Sequence, residues 1–309
     1  MFRSARHARF GIPLLTMLLF ALTALAQQKP PADEDEHSQK LQKDVQNPVA
    51  NLISVPFQNN MNPNITADGR IQNVLNIQPV IPVSISKDWN LILRIITPLI
   101  YQPDLRQNDR GTFGLGDMNP TFFFSPSKPG KLIWGAGPAF ALPTATSQLL
   151  GQGKTSLGPG VVALVQPGPW TIGAVTSNVW SVAGPSGRPD VNQMSLQYFF
   201  VYQLGHGWYM NSGPILTANW NAAPGDKWVV PFGGGLGRVF KLGFQPVNAE
   251  INIYGNAVRP NNPPSAPWQF RFQMTLLYPQ LSKADEKKML EKKLKQLDEE
   301  QQQGKQPKK

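Results

Sequence analysis

Residues 268–278 read Trp-Gln-Phe-Arg-Phe-Gln-Met-Thr-Leu-Leu-Tyr, and every second side chain is large and apolar. Trp268, Phe270, Phe272, Met274, Leu276 and Tyr278 fall on one face. Gln269, Arg271, Gln273 and Thr275 fall on the other, with Leu277 as the apolar exception. A period of two marks a strand, because successive side chains point to opposite sides of a sheet. Aromatics stand at both ends of the apolar face, and the length suits one tilted bilayer crossing, which takes about 9–11 strand residues. A strand of a soluble sandwich alternates in the same way, so the rest of the chain must discriminate between the two.

The N-terminus reads as an export signal. Arg3, Arg6 and Arg9 precede an apolar run over 12–25, and Ala24-Leu25-Ala26 is a small-x-small cleavage site. Residues 1–26 are therefore expected to be a cleaved signal peptide. The run is short of the roughly 20 residues that a spanning helix needs. No later segment reaches that length without polar interruption, so a mature chain in a membrane must cross as a closed barrel. Residues 27–47 are polar, carry Asp33-Glu34-Asp35-Glu36 and His37, and are expected to be a disordered periplasmic linker.

From Pro48 the chain divides into candidate strands at 50–60, 70–85, 88–101, 117–126, 131–143, 157–166, 169–183, 192–204, 207–220, 228–240, 244–257 and 267–279. The connections after every second strand are tight, as at Ser86-Lys87, Pro167-Gly168, Gly205-His206 and Leu242-Gly243. The alternate ones are long and polar: 61–69, 102–116, 144–156, 184–191, 221–227 and 258–266. Short turns at one end, long loops at the other and an even count predict an all-β, transmembrane antiparallel β-barrel of about 12 strands over 48–281. The faces agree in several strands. Trp89, Leu91, Leu93, Ile95, Leu99 and Tyr101 oppose Arg94. Ile251 and Ile253 oppose Glu250 and Asn252. Arg94, Glu250 and Arg271, and with them Arg70, become candidate lumen residues, because a charge on the lipid face is costly. Segments 169–183 and 228–240 show no clean face.

Prolines oppose a regular wall. Pro79, Pro82, Pro98, Pro138, Pro159, Pro214, Pro231 and Pro246 fall in or near proposed strands, and each removes a ladder hydrogen bond. They are expected at bulges, strand ends or broken pairs. A bent wall with lateral gaps accommodates them.

The chemistry-bearing residue types are few. There is no Cys, which rules out disulfides and thiolate metal sites. A Ser–His hydrolase would need its histidine beside a serine. Signal cleavage leaves His37 in the linker and His206 on a tight turn, which also leaves a two-His metal site unsupported. Gly153-Lys154-Thr155 and Gly233-Gly234-Gly235 lack the strand–turn–helix setting of nucleotide-binding loops. The expectation is no enzyme and no cofactor. The net charge of +10 is spread over loops and tail rather than gathered on a groove or helix, which argues against a nucleic-acid partner. Residues 282–303 start on a capping-box-like Ser282-Lys-Ala-Asp285 and repeat Leu290, Leu294 and Leu297 on one face. They are expected to form an amphipathic helix in a charged periplasmic tail over 282–309, docking to a periplasmic protein or a second copy.

Gly114-Leu115-Gly116-Asp117 opens a strand, and the structural expectation is a loop-to-strand turn with Asp117 capping it or reaching a lumen arginine. Together with Leu52–Asn60, Asn76–Pro82, Ser125–Trp134, Leu142–Thr146, Val230–Gly235 and the closing strand, it resembles the outer-membrane barrel family named after the meta-cleavage pathway of phenol degradation. Some members of that family carry a neuromedin U label. The likeness covers 48–280, and the chain departs from it in the C-terminal tail. It implies a bacterial outer-membrane protein, in contact with outer-membrane lipid, that passes small, aromatic or apolar molecules by passive or facilitated diffusion. The competing expectation is a closed structural barrel that anchors a periplasmic partner through residues 282–303.

Overall fold

The computed structural model describes residues 41–66, 69–104, 111–261 and 265–279. The expected signal peptide over 1–26, most of the expected linker over 27–47 and the expected tail over 282–309 lie outside the described residues. The strands are β1 (Leu52–Asn62), β2 (Gln72–Ile77), β3 (Val80–Ser84), β4 (Trp89–Gln102), β5 (Thr112–Leu115), β6 (Asn119–Pro126), β7 (Leu132–Ala141) and β8 (Thr155–Val165). They continue as β9 (Trp170–Ala183), β10 (Asn192–Gly205), β11 (Trp208–Ser212), β12 (Ile215–Asn219), β13 (Trp228–Leu242), β14 (Gln245–Val258) and β15 (Trp268–Pro279).

All fifteen strands belong to one antiparallel sheet, and β1 pairs with β15 from Leu52↔Pro279 to Met61↔Phe270, which closes it. Three positions in the wall are each shared by two strands end to end: β2 with β3, β5 with β6, and β11 with β12. The wall therefore has twelve staves. The fold is a closed transmembrane β-barrel. Among the described residues no helix is long and apolar enough to cross a membrane, and none is needed once every strand edge is paired.

The outer surface is that of a barrel solvated by lipid. Phe270, Phe272, Met274, Phe200, Leu236, Ile251 and Ile253 are exposed on it. Aromatics gather at the two rims: Trp89 packs edge-on against Trp134 and Trp170 lies against Tyr202 at the short-turn end, while Trp220 and Trp228 pair at the long-loop end. Apolar bands flanked by aromatic girdles are the interface pattern of membrane barrels.

The two segments without a readable face are explained by glycine. In β13 the inward row contains Gly233, Gly235 and Gly237, so there are no side chains there to alternate. A Cβ at Gly237 would strike the Tyr209 ring, and one at Gly235 would strike the Ile251 carbonyl. In β9, Thr171 and Val175 are buried while Trp170, Trp180 and Val182 are exposed, with Gly173 in the inward row between the first two.

Five of the eight prolines named above coincide with an interruption. Pro79 separates β2 from β3, and Pro214 separates β11 from β12. Pro231 sits at a register shift, and Pro138 faces Pro159, beside which the β8–β9 pairing skips from Leu157 to Gly160. Between β6 and β7 only Thr121↔Ala139 and Phe124↔Ala136 are paired. Pro82 and Pro98 lie within continuous registers.

Two sequence expectations need correction. Residues 112–115, placed in a loop, form β5 on the edge of β4. Residues 41–47, placed in the linker, are ordered: 41–45 are helical, and Leu41, Gln42, Val49 and Ala50 are buried. Leu41 and Ala50 join Leu52, Val201, Tyr209, Val239 and Leu277 in one apolar cluster. Val49 joins Ile92, Phe123, Val162, Leu164, Val175 and Phe199 in another. Gln42 Nε2 donates to the Trp208 carbonyl, and Gln166 Nε2 donates to that of Lys43. The segment is held inside the short-turn end of the barrel because its few apolar side chains meet inward-facing apolar rows there.

Candidate functional site: the barrel lumen

The lumen holds two cavities. One of about 610 Å³ occupies the long-loop half, and one of about 180 Å³ lies deeper, against residues 44–48. Arg94, Val175 and Gln197 line both and mark the waist between them.

Arg94 is on the inward row of β4, and Glu250 and Arg271 are on those of β14 and β15. Both arginines and Glu250 line the deeper cavity. Arg70 is not on a strand. It lies in the β1–β2 loop and donates from Nη1 to the Asp104 carbonyl at 3.1 Å, joining two long loops. A polar residue at the end of a strand in the sequence is equally a loop residue, and the pattern does not separate the two.

A chain of amides that sequence inspection passed over connects the charges. Arg94 Nη2 donates to Gln78 Oε1 at 3.0 Å, Gln78 to Gln58 at 3.2 Å, and Gln58 to Asn60 at 3.3 Å. Arg271 Nε also donates to Asn60 Oδ1, at 2.9 Å. From Arg271 Nη2 a second run passes through Gln269, Asn62 and Gln72 to Gln102. Gln58, Asn60 and Gln78 are each 4–5% exposed, so these bonds form away from bulk water, where leaving one unmade is costly. Their spacing was the available signal: Gln58, Asn60 and Asn62 share one strand face.

The break in the wall at Gly213-Pro214 takes part in this arrangement. A carbonyl within a ladder points along the sheet to the next strand. The Gly213 carbonyl instead accepts from Arg271 Nη1 at 2.9 Å and from Gln197 Nε2 at 3.3 Å. All three guanidinium nitrogens of Arg271 are thereby engaged, and its charge also stacks 4.9 Å over the Tyr254 ring. Glu250 accepts from Asn211 Nδ2 at 2.8 Å and from the Tyr209 hydroxyl at 3.0 Å, and that hydroxyl also lies 2.7 Å from Asn248 Oδ1.

The Gly114–Asp117 motif organises the long-loop end. Asp117 caps the neighbouring 142–154 loop: Oδ1 accepts from the Ala145 amide at 3.1 Å, and Oδ2 from Gln152 at 2.6 Å and Gly153 at 3.4 Å. Leu115 N donates to Thr146 Oγ1, Thr146 N to the Leu115 carbonyl, and Met118 N to Thr144 Oγ1. A Cβ at Gly114 would collide with Thr146, so glycine is needed where loop and strand meet. This loop folds over the larger cavity, with Leu149, Leu150 and Gln152 on its lining. Arg188, from the β9–β10 loop, grips its far side through the carbonyls of Gln148, Gly151 and Gln152. Beside it Lys154 pairs with Asp190 at 2.8 Å. The hydrogen bond and charge of Lys154, with a hydrogen bond from Ser181, hold the Asp190 carboxyl below the usual carboxylate range.

Among the described residues no group of three or more His, Cys, Asp or Glu is placed to hold a metal ion. His206 occupies the β10–β11 turn at a positive φ of 50°.

No protein-family model matches the chain, and no curated protein matches it. Solved structures do. An outer-membrane channel from Pseudomonas putida F1 aligns with TM-score 0.56 and 13% identity over 74% of this chain and 96% of that one. The CymD monoaromatic hydrocarbon channel aligns with TM-score 0.41 and 8% identity over 79% and 91%. An outer-membrane phospholipase from Salmonella typhi aligns with TM-score 0.40 and 10% identity over 73% and 90%. That last likeness corrects one expectation. The expectation of no enzyme is not kept, since the solved structures that align with the chain include a phospholipase as well as channels. At these identities the first likeness establishes the fold: a closed twelve-stranded barrel of the kind found in outer-membrane channels.

Proposed function

We propose that this chain is an outer-membrane channel that passes small, aromatic or apolar molecules by passive or facilitated diffusion. It would be exported by the signal peptide over 1–26 and would belong to the phenol meta-pathway family that its motifs resemble. The observation that carries the reading is the larger cavity, which is walled by Ile96, Ile100, Phe123, Val175 and Ile215 together with amides and hydroxyls. Mixed linings of this kind accept an apolar body and orient it by a few polar groups. The short-turn end is filled by residues 41–50, so a straight path along the axis is closed. Support for a sideways exit comes from the sparse pairing at β6–β7 and β8–β9, where Gly137, Gly158 and Gly160 also leave the wall thin.

The same filling favours a second reading, a structural barrel whose tail over 282–303 docks to a periplasmic partner. Planar-bilayer recording on the folded protein, with and without residues 41–50, separates the two. A channel plugged by its own segment gains discrete conductance steps when that segment is removed. A structural barrel stays silent in both forms, and loses capture of its partner when residues 282–309 are deleted.

A further inference from the structure

The two lumen arginines are not equivalent. Arg271 spends all three nitrogens on protein acceptors, whereas Arg94 spends one, on Gln78, and has no ion-pair partner among the described residues. Arg94 nonetheless stands at the waist and lines both cavities. The other charged residue lining the larger cavity is Asp117, whose two oxygens are occupied by loop amides. Among the described residues, Arg94 is therefore the one uncommitted charge lining that chamber. A guanidinium held inside a protein without a counter-ion is unfavourable unless something supplies the missing charge and acceptors, and its planar fork matches a carboxylate in two-point contact.

From this we infer that the waist is a binding site for a monocarboxylate with an apolar body. Its carboxylate meets Arg94, and its ring or branched chain lies in the larger cavity against Ile96, Phe123 and Val175. Gln78 holds one nitrogen of the guanidinium and leaves the other two for a ligand. Gln197, also on both linings, offers a polar contact across the waist. A cavity of about 610 Å³ is the size of ordinary small-ligand pockets. The inference rests on the channel reading for its biological sense and narrows that reading to organic acids.

Benzoate and its neutral isostere benzamide are the probes. Calorimetric titration of the detergent-folded full chain should show benzoate binding about tenfold more tightly than benzamide, as expected for one charge-assisted contact. Arg94→Met should abolish the preference for benzoate over benzamide and keep the heat-modifiable migration of a folded barrel. Arg94→Lys, which keeps the charge and the fold, should recover part of the preference. Equal binding of both probes to the wild type, or benzoate binding that Arg94→Met leaves intact, overturns the inference. Conductance with no benzoate preference removes the site and keeps the channel. Benzoate binding that depends on Arg94, in a protein silent in bilayers both with and without residues 41–50, keeps the site and removes the channel.

Discussion

Arg94 and Arg271 stand on equal terms in the sequence, each a lone positive charge on the polar side of an alternating strand. Their neighbours separate them. Arg271 faces a carbonyl released by the Gly213-Pro214 break and an amide on either side, so it works as a staple. Arg94 faces one glutamine and a cavity. The same distinction governs Asp117, whose carboxylate is consumed by three backbone amides of the 142–154 loop. Asp117→Ala leaves those amides without acceptors, at a cost of about 1–3 kcal/mol. The expected outcome is proteolytic nicking within 142–154 while the barrel core stays protected, read by limited digestion and mass spectrometry. Charged residues could be found in the sequence because a strand face is visible by its period. Their partners could not, because Asn60 and Gly213 meet Arg271 only across strands distant in the chain, and Gln78 reaches Arg94 from the break between β2 and β3.

At the scale of elements, the staves were legible where the inward row carried side chains and illegible where it carried glycine, as in β13. The ordered segment over 41–50 was missed for a different reason. Its apolar residues, Leu41, Val45, Val49 and Ala50, are too few to form a periodic pattern, and their burial depends on Ile92, Phe123 and Tyr209, which strands far along the chain supply. The long loops are joined by charge. Asp190 has its pKa lowered by Lys154, so the pair is intact above the usual carboxylate range and is lost as pH falls through the depressed value. Asp190 is largely exposed, so the effect on global stability is small, and the readout should be local. Acidification below that range should increase hydrogen exchange in 184–191 and 148–154. Asp190→Asn should show the same exchange at neutral pH, with no further change on acidification.

For the whole molecule, twelve staves, alternating loop lengths and the lipid-facing aromatic rims follow from patterns local to each strand, which is why the architecture was readable from the chain alone. Closure was expected too, because a membrane leaves no strand edge unpaired, and β1 meets β15; the register of that seam was not readable. That seam is sewn on the inside by Arg271 to Asn60 and Gln269 to Asn62. Arg271→Met removes three donors from buried acceptors and should cost about 2–4 kcal/mol. The expected sign is a lower temperature for loss of heat-modifiable migration, with the benzoate preference at Arg94 retained.

The stitched seam also ties assembly to recognition. The amide relay that steadies Arg94 runs through Gln78 and Gln58 to Asn60, and Asn60 is the residue that Arg271 reaches from the last strand. An open sheet, with its first and last strands apart, keeps the relay, which lies within β1–β4, but loses the anchor that Arg271 gives it at Asn60. The waist is thus complete only when the ring is complete. A molecule that prefers the finished waist must, by mass action, draw the unfinished ring shut, so the carboxylate inferred to bind there would double as a fastener for the barrel.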